Sequence, residues 1–278
     1  MLYYKIDIKI ETEHTPPYFT GAMLRGAFGY ALKSMTCINP SYQCKTCFCK
    51  DTCLYYDFYE KQNLQHRYRF DIALNQKTFD FSLYLFGESC AKLPYVLSSI
   101  EKALRHNGIG KERVTFQQMQ IDVNSRLIYH KQSFLDCFES QPKKISIERD
   151  APHVKIRFLT PLRMKKSNQL EYEKIEIEDI LRSIYQRQIQ IFENRKVYGL
   201  EHTPNYITSV KTLEYKRLYR KSNRQGKKIV MDGVLGEMAV LGLDEKSYRL
   251  LKIGEIIGVG KQTVFGLGKI KVEEIDKK

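Results

Sequence analysis

Hydrophobic and polar positions alternate from the first residues of the chain. Tyr4, Ile6, Ile8 and Ile10 are interleaved with Lys5, Asp7, Lys9 and Glu11, the period of two of a strand that buries one face. Pro16-Pro17 ends that strand. The period then changes: Met23, Leu24, Ala27, Phe28, Ala31 and Leu32 recur at helical spacing behind Thr20, a residue type suited to an N-cap. The other face of this helix carries Gly21, Gly26 and Gly29 beside Arg25, Tyr30 and Lys33. A helical glycine costs roughly 0.8–1 kcal/mol relative to alanine. Close approach of another backbone, a strand or a ligand phosphate is therefore expected there. Tyr68–Leu74 and Phe79–Phe86 read as strands around Asn75-Gln76-Lys77. Pro94 opens a second helix, with Val96, Leu97, Ile100 and Leu104 on one face and an end near Gly108–Gly110. Val114–Tyr129 supplies one or two further strands.

Strand, helix, strand, strand, helix, strand is the ferredoxin-like order. After a linker at Pro142-Lys143-Lys144 the order recurs. Val154–Leu159 is a strand, and Ile177–Lys196 is a helix with Ile180, Leu181, Ile184, Tyr185 and Phe192 inward. Tyr215–Tyr219 and Ile229–Leu241 flank a basic loop as a hairpin. Asp244 caps a helix through Ile257, and Gly266–Val272 is the last strand. The expected fold is α+β: two tandem ferredoxin-like (βαββαβ) domains, 1–142 and 143–278. The first carries a cysteine-rich insertion at 37–53; the second carries a basic hairpin loop (211–228) and a glycine-rich loop (258–268). The duplication is one of element order, without a tight sequence repeat.

Composition supports this division. A chain of 278 residues with 42% hydrophobic content is long enough and apolar enough for two cores. No run approaches the ~18 apolar residues of a membrane span. The first residues lack the apolar stretch of a secretory signal, so a cytoplasmic protein without a membrane partner is expected. The net charge of +14 calls for a polyanion. Residues 1–150 contribute only +4 of it and residues 151–278 contribute +10. Lys211–Lys228 alone holds eight cations against Glu214. Within it Lys216, Arg217, Arg220, Lys221, Arg224, Lys227 and Lys228 surround Tyr219: phosphates can be neutralised by the cations and a base can stack on the ring. The competing explanation is a solvated loop between two strands.

Five of the seven cysteines fall at Cys37, Cys44, Cys47, Cys49 and Cys53. An odd count in a cytosolic chain disfavours disulfides, and thiolates on one loop suit a tetrahedral metal. Cys44-x-x-Cys47 is a chelating pair, which favours Cys37, Cys44, Cys47 and Cys53 as ligands of a structural zinc. Cys49 can replace Cys47 or Cys53, and an iron–sulfur cluster also accepts four thiolates. Cys90 and Cys137 read as buried small apolar residues.

Gly258-Val259-Gly260-Lys261-Gln262-Thr263-Val264-Phe265-Gly266-Leu267-Gly268 contains a P-loop-like stretch. It follows a helix and precedes a strand, the reverse of a P-loop's context. Its backbone N–H groups can still approach phosphates. A helix, this loop and a final strand together resemble the terminal glycine-rich loop of the RAMP superfamily of CRISPR-associated proteins, and specifically its precursor-crRNA-processing endoribonucleases. Gly21-Ala22-Met23-Leu24-Arg25-Gly26-Ala27-Phe28-Gly29-Tyr30-Ala31-Leu32 is similar to the first-helix motif of one branch, and the cysteine cluster resembles that branch's insertion.

The resemblance implies an RNA partner, the CRISPR repeat in precursor crRNA. It also implies cleavage without a catalytic metal, by 2′-hydroxyl attack that leaves a 2′,3′-cyclic phosphate. Gly258, Gly260, Lys261, Gln262, Gly266 and Gly268 join the basic loop as expected RNA-binding residues, and Arg25 either binds phosphate with them or packs structurally. The family's usual catalytic group is a histidine, with tyrosine or lysine, near the first helix. This helix has no histidine, so His14, just before it, is the expected acid/base, with Tyr18, Tyr30 and Lys33 as orienting or charge-stabilising groups. His66 is an alternative metal ligand or catalytic residue. The departure keeps a second expectation open: a catalytically inactive RAMP-type subunit that grips RNA inside an effector complex. A zinc-containing DNA-binding or scaffold protein is the third.

Overall fold

A computed structural model of the chain describes residues 1–135, 140–166, 169–221 and 228–276. The chain divides into two compact units, Met1–Lys144 and Ile145–Lys278.

The first unit runs β1 (Leu2–Glu11), α1 (Gly21–Thr36), β2 (Tyr68–Asp71), β3 (Phe81–Phe86), α2 (Leu93–Lys102) and β4 (Gln118–Val123). Short strands β5 (Arg126–His130), β6 (Ser133–Phe134) and β7 (Lys143–Lys144) follow. The antiparallel sheet is ordered β2-β3-β1-β4-β5-β6, with β7 paired to the start of β1. The alternation in β1 does what its period requires. Tyr4, Ile6, Ile8 and Ile10 are buried, while Lys5 and Asp7 pair at 2.7 Å on the other face. Phe28 of α1 packs against Tyr68 and Phe70 of β2. Thr20 precedes α1 as expected, but its backbone is helical and its side chain makes no capping hydrogen bond.

The second unit runs β8 (His153–Leu162), β9 (Met164–Lys166), β10 (Gln169–Glu171), α3 (Ile177–Glu193), β11 (Thr208–Lys216), β12 (Tyr219–Lys221) and β13 (Lys228–Val230). It ends in β14 (Gly233–Leu241), α4 (Glu245–Ile257) and β15 (Ile270–Glu274). Its four-stranded sheet is ordered β11-β14-β8-β15. By position within the unit that is second, third, first, fourth, the same order as β2-β3-β1-β4. Both units are thus ferredoxin-like, and the shared element order is a shared topology. The β9–β10 hairpin is an addition that the hydrophobic pattern did not show. Asp244 caps α4 as expected, accepting from the Ser247 N–H at 2.9 Å. In α3, Ile180, Leu181 and Ile184 are buried, whereas Tyr185 and Phe192 are only half-buried. Among the described residues no helix is long and apolar enough to cross a membrane.

Candidate nucleic-acid interface

The basic segment of the second unit is a two-storey hairpin. Its lower storey is the nine-residue ladder of β11 on β14, from Thr208 opposite Leu241 to Lys216 opposite Gly233. Its upper storey is the short ladder of β12 on β13, joined to the lower by the Met231 N–H donating to the Leu218 carbonyl at 2.9 Å. Tyr215, Arg217 and Tyr219 are exposed, Lys216 and Arg220 half-buried. The Arg217 Nε donates to the Tyr215 hydroxyl at 3.2 Å. Lys221 and Lys228 stand on β12 and β13; Arg224 and Lys227 lie outside the described residues. Lys211, at the foot of the hairpin, is committed elsewhere: its Nζ donates to the Glu176 carboxylate at 2.6 Å and to the Ile175 carbonyl at 2.8 Å.

The glycine-rich loop corrects an expectation. Its N–H groups are spent within the unit rather than aimed outward. Val259 donates to the Gly268 carbonyl (2.9 Å), Gly260 to the Ser183 hydroxyl (2.9 Å), Lys261 to the Arg163 carbonyl (2.8 Å) and Gly268 to the Pro161 carbonyl (3.1 Å). Gly258, Gly260, Gly266 and Gly268 are buried, all at positive φ. They shape the loop and present nothing to a ligand. A β-carbon at Gly260 would meet the Arg163 carbonyl oxygen at 2.5 Å, so the glycine is required by close packing. What the loop offers outward is Lys261, with Gln262 half-buried beside it.

One contact brings these elements together. The Arg220 guanidinium lies 4.8 Å from the centroid of the Phe265 ring, a cation–π stack of hairpin on loop. Lys261 carries further positive charge there: burial, with the charges of Lys165 and Arg187, lowers its pKa from the ordinary lysine value. Arg187 is 2% exposed and donates through Nε to the Ile257 carbonyl at 2.7 Å, a cation on the C-terminal carbonyls of α4. Cations that depress one another are relieved by an anion, and exposed tyrosines beside them offer faces to bases. Such a surface suits a single nucleic-acid strand.

The N-terminal candidates lie on α1 and on the segment that precedes it. His14 is exposed on the segment after β1, where its N–H donates to the Thr12 hydroxyl at 3.2 Å. Tyr18 is 39% and Tyr30 68% exposed. The Lys33 Nζ donates to the Tyr42 carbonyl at 2.9 Å and lies 5.1 Å from the Tyr55 ring. Twelve residues of helical rise put Lys33 about 18 Å along α1 from Gly21. Arg25 is turned inward, its guanidinium 4.2 Å from the Tyr59 ring centroid. It packs structurally, the second of its two expected roles. His66 lies against the Tyr68 ring, its Nδ1 3.3 Å from the Asp57 carbonyl.

The cysteine segment is a run of turns. Cys47 N–H points to the Cys44 carbonyl, Lys50 N–H to Cys47 and Thr52 N–H to Cys49. Cys37, Cys44, Cys47, Cys49 and Cys53 are half-buried free thiols. Among the described residues no group of three or more His, Cys, Asp or Glu is placed to hold a metal ion. Burial raises the Cys44 thiol pKa, Lys33 opposes that, and Glu60, Cys37 and Cys53 add to it. Cys90, expected to be buried, is half-buried; Cys137 lies outside the described residues.

Sequence reasoning missed Arg163 and Asp232, which join at the base of the hairpin. A lone arginine and a lone aspartate sixty-nine positions apart carry no local pattern that would pair them. It also missed Tyr59 as the partner of α1, although three glycines on one helix face were a signal for something large.

Comparisons with known proteins follow the two-unit division. Residues 1–142 match the family described as AF_1859_N, an N-terminal domain, and residues 156–270 match the family described as CRISPR-associated endoribonuclease Cas6. An uncharacterized protein of Archaeoglobus fulgidus is 24% identical over 282 residues, covering 93% of this chain and 93% of its own length. Among solved structures, a Cas6 product complex whose protein is from Thermus thermophilus is 13% identical with a TM-score of 0.58, covering 97% of this chain and 98% of that chain. A second Cas6 product complex is 17% identical with a TM-score of 0.56, covering 99% and 100%. A Cas6-related protein of Pyrococcus furiosus is 12% identical with a TM-score of 0.51, covering 99% of each. At these identities the likeness is one of fold.

Proposed function

We propose that this chain, whose residues 156–270 match the family of CRISPR-associated endoribonucleases described as Cas6, binds the repeat of CRISPR transcripts in the cytoplasm and cuts precursor crRNA. The observation that carries the binding half is the stack of Arg220 on Phe265. It makes the basic hairpin and Lys261 one cationic, tyrosine-bearing surface. Solved relatives described as Cas6 product complexes and as a RAMP protein binding different RNA substrates support RNA as the occupant.

The cut we propose is metal-independent. The 2′-oxygen forms a bond to the adjacent phosphorus, the bond from phosphorus to the 5′-oxygen breaks, and a 2′,3′-cyclic phosphate remains. A base takes the 2′-hydroxyl proton and an acid gives one to the leaving 5′-oxygen. His14 is the acid/base, an imidazole exposed on the segment just ahead of α1; Tyr18 and Tyr30 are available to orient the phosphate. We assign the cysteine segment a structural zinc held by Cys37, Cys44, Cys47 and Cys53. Its support is the run of five cysteines between positions 37 and 53 and the chemistry of thiolates.

Incubation of the protein with its repeat RNA in EDTA tests this reading. Site-specific cleavage leaving a cyclic phosphate is expected; binding without cleavage overturns the nuclease. One observation favours that second outcome, an RNA-gripping subunit of an effector complex: the Lys33 ammonium is engaged by the Tyr42 carbonyl and the Tyr55 ring.

A further inference from the structure

Besides the Arg220 stack, the hairpin and the glycine-rich loop are joined by a second and deeper connection. Arg163 stands between β8 and β9. Its carbonyl accepts the Lys261 N–H at 2.8 Å. Its guanidinium donates to the Asp232 carboxylate and, at 3.1 Å, to the Asp232 carbonyl. Asp232 is 7% exposed, immediately before β14. Its Oδ2 accepts from the Tyr215 hydroxyl at 2.7 Å, and Tyr215 in turn receives the Arg217 Nε at 3.2 Å. The Tyr172 ring stands edge-on to Tyr215, 4.9 Å between centroids. A continuous path therefore runs from Lys261 through Arg163, Asp232 and Tyr215 to Arg217. Every link is a hydrogen bond or ion pair, and the central one joins a half-buried arginine to a buried aspartate.

A buried ion pair is a poor source of net stability, because replacing it with apolar residues of similar volume is often neutral or stabilising. What it does supply is geometry: one arginine with fixed donor directions holds both elements at once. The basic hairpin could bind phosphates without this pair, and so could Lys261. Only the Arg220 stack on Phe265 would then tie one to the other.

We propose that Arg163 and Asp232 are positioning residues that couple the basic hairpin to the glycine-rich loop, so that RNA is gripped by one preorganised surface and not by two independent ones. The inference rests on the RNA-binding reading above. Neither residue touches RNA in this account; they act through Tyr215, Arg217 and Lys261.

The test is a double-mutant cycle read by binding. Fluorescence anisotropy of a labelled single-stranded RNA of mixed sequence is measured at fixed salt for Arg217→Ala, Lys261→Ala and the double variant, in the native protein and in Asp232→Asn. In the native protein the double variant is expected to fall short of the product of the single losses by more than about threefold, beyond the additivity of independent sites. In Asp232→Asn the two losses should simply multiply. Deuterium exchange is expected to rise in Asp232→Asn at 228–232 and 258–262 together while α3 keeps its protection. Should Asp232→Asn fail to fold, Arg163→Met combined with Asp232→Leu removes the pair without leaving a buried charge. Single losses that multiply in the native protein would overturn the coupling and leave the RNA reading standing. Single variants that bind RNA as well as the native chain would overturn both.

Discussion

The Tyr59 hydroxyl donates a 2.7 Å hydrogen bond to the Arg25 carbonyl, and the Arg25 guanidinium lies 4.2 Å from the centroid of the same ring. The ring is thereby clasped against α1 on the face left open by glycine, and Tyr55 stacks on its far side at 5.1 Å. The cysteine-bearing insertion thus returns to the helix through an aromatic cluster, with Phe58 fully buried against Tyr68 at 4.4 Å.

Two glycines of α1 should therefore respond oppositely to alanine. A β-carbon at Gly29 would overlap the Tyr59 ring, which is held on both faces, whereas Gly26 has nothing within 4 Å. Gly26→Ala should stabilise by about 0.5–1 kcal/mol through helix propensity alone. Gly29→Ala gains the same propensity but must displace the ring, and overpacking costs about 1–3 kcal/mol, so the net change is destabilising. Urea unfolding of the two variants checks the pair; equal and positive shifts would remove Tyr59 as the reason for Gly29.

That contrast marks what the sequence made legible. Period-two alternation in β1 and period-3.6 recurrence in α1, α2 and α3 are local and survive folding, so element order and the repeated topology followed from them. The outward face of the glycine-rich loop did not. Glycine at Gly260 signals that the backbone is approached closely, but not whether by a phosphate or by the Arg163 carbonyl. Nor could the pairing of Arg163 with Asp232 be read, because an ion pair between distant strands leaves no periodicity. Arg25 is undecided in the sequence for the same reason: exposed and ring-stacked arginines look alike until Tyr59 is in place.

The hairpin and Lys261 should each contribute to the salt dependence of RNA binding. Replacing Lys261 or Arg220 by alanine removes about one phosphate contact, which for a single strand lowers the slope of log K against log salt by about 0.7. Phe265→Leu keeps the charge but removes the ring beneath Arg220. It should weaken binding while leaving the slope close to native. Titrations at several salt concentrations separate the two effects, and an unchanged slope in all three variants returns the hairpin to a solvated loop.

Cys90 should react slowly with thiol reagents. Burial pushes its pKa up to about 11 from 9.0, so at pH 8 almost all of it is the unreactive thiol. The sign for stability follows: the folded state favours the neutral form, a contribution fully present below pH 9 and lost as pH rises through about 11. Labelling of metal-free protein at pH 8 followed by peptide mass analysis is expected to modify the 37–53 cysteines well before Cys90. Equal rates would contradict its burial between the Leu2 and Leu85 carbonyls.

Metal analysis addresses the cysteine segment. Protein purified without chelator should carry about one zinc per chain, and Cys37→Ser or Cys44→Ser should lose it while Cys49→Ser retains it. Loading should also protect the four ligand thiols from labelling. Metal-free protein that takes up no added zinc sinks the assignment, and iron in place of zinc would redirect it to a cluster.

His14→Ala separates chemistry from grip. The imidazole lies on an exposed segment of the first unit, and none of the hairpin or loop contacts depends on it. The variant should bind repeat RNA with native affinity and native salt slope, yet lose at least about a hundredfold in single-turnover cleavage, the usual contribution of a positioned acid/base. His14→Ala combined with added imidazole offers a second measurement, since partial rescue that follows the free base is expected only if a proton is transferred there. Cleavage at the native rate would remove His14 from the mechanism. Tyr18→Phe and Tyr30→Phe would then be the next substitutions to assay, since both phenols are exposed on the same unit.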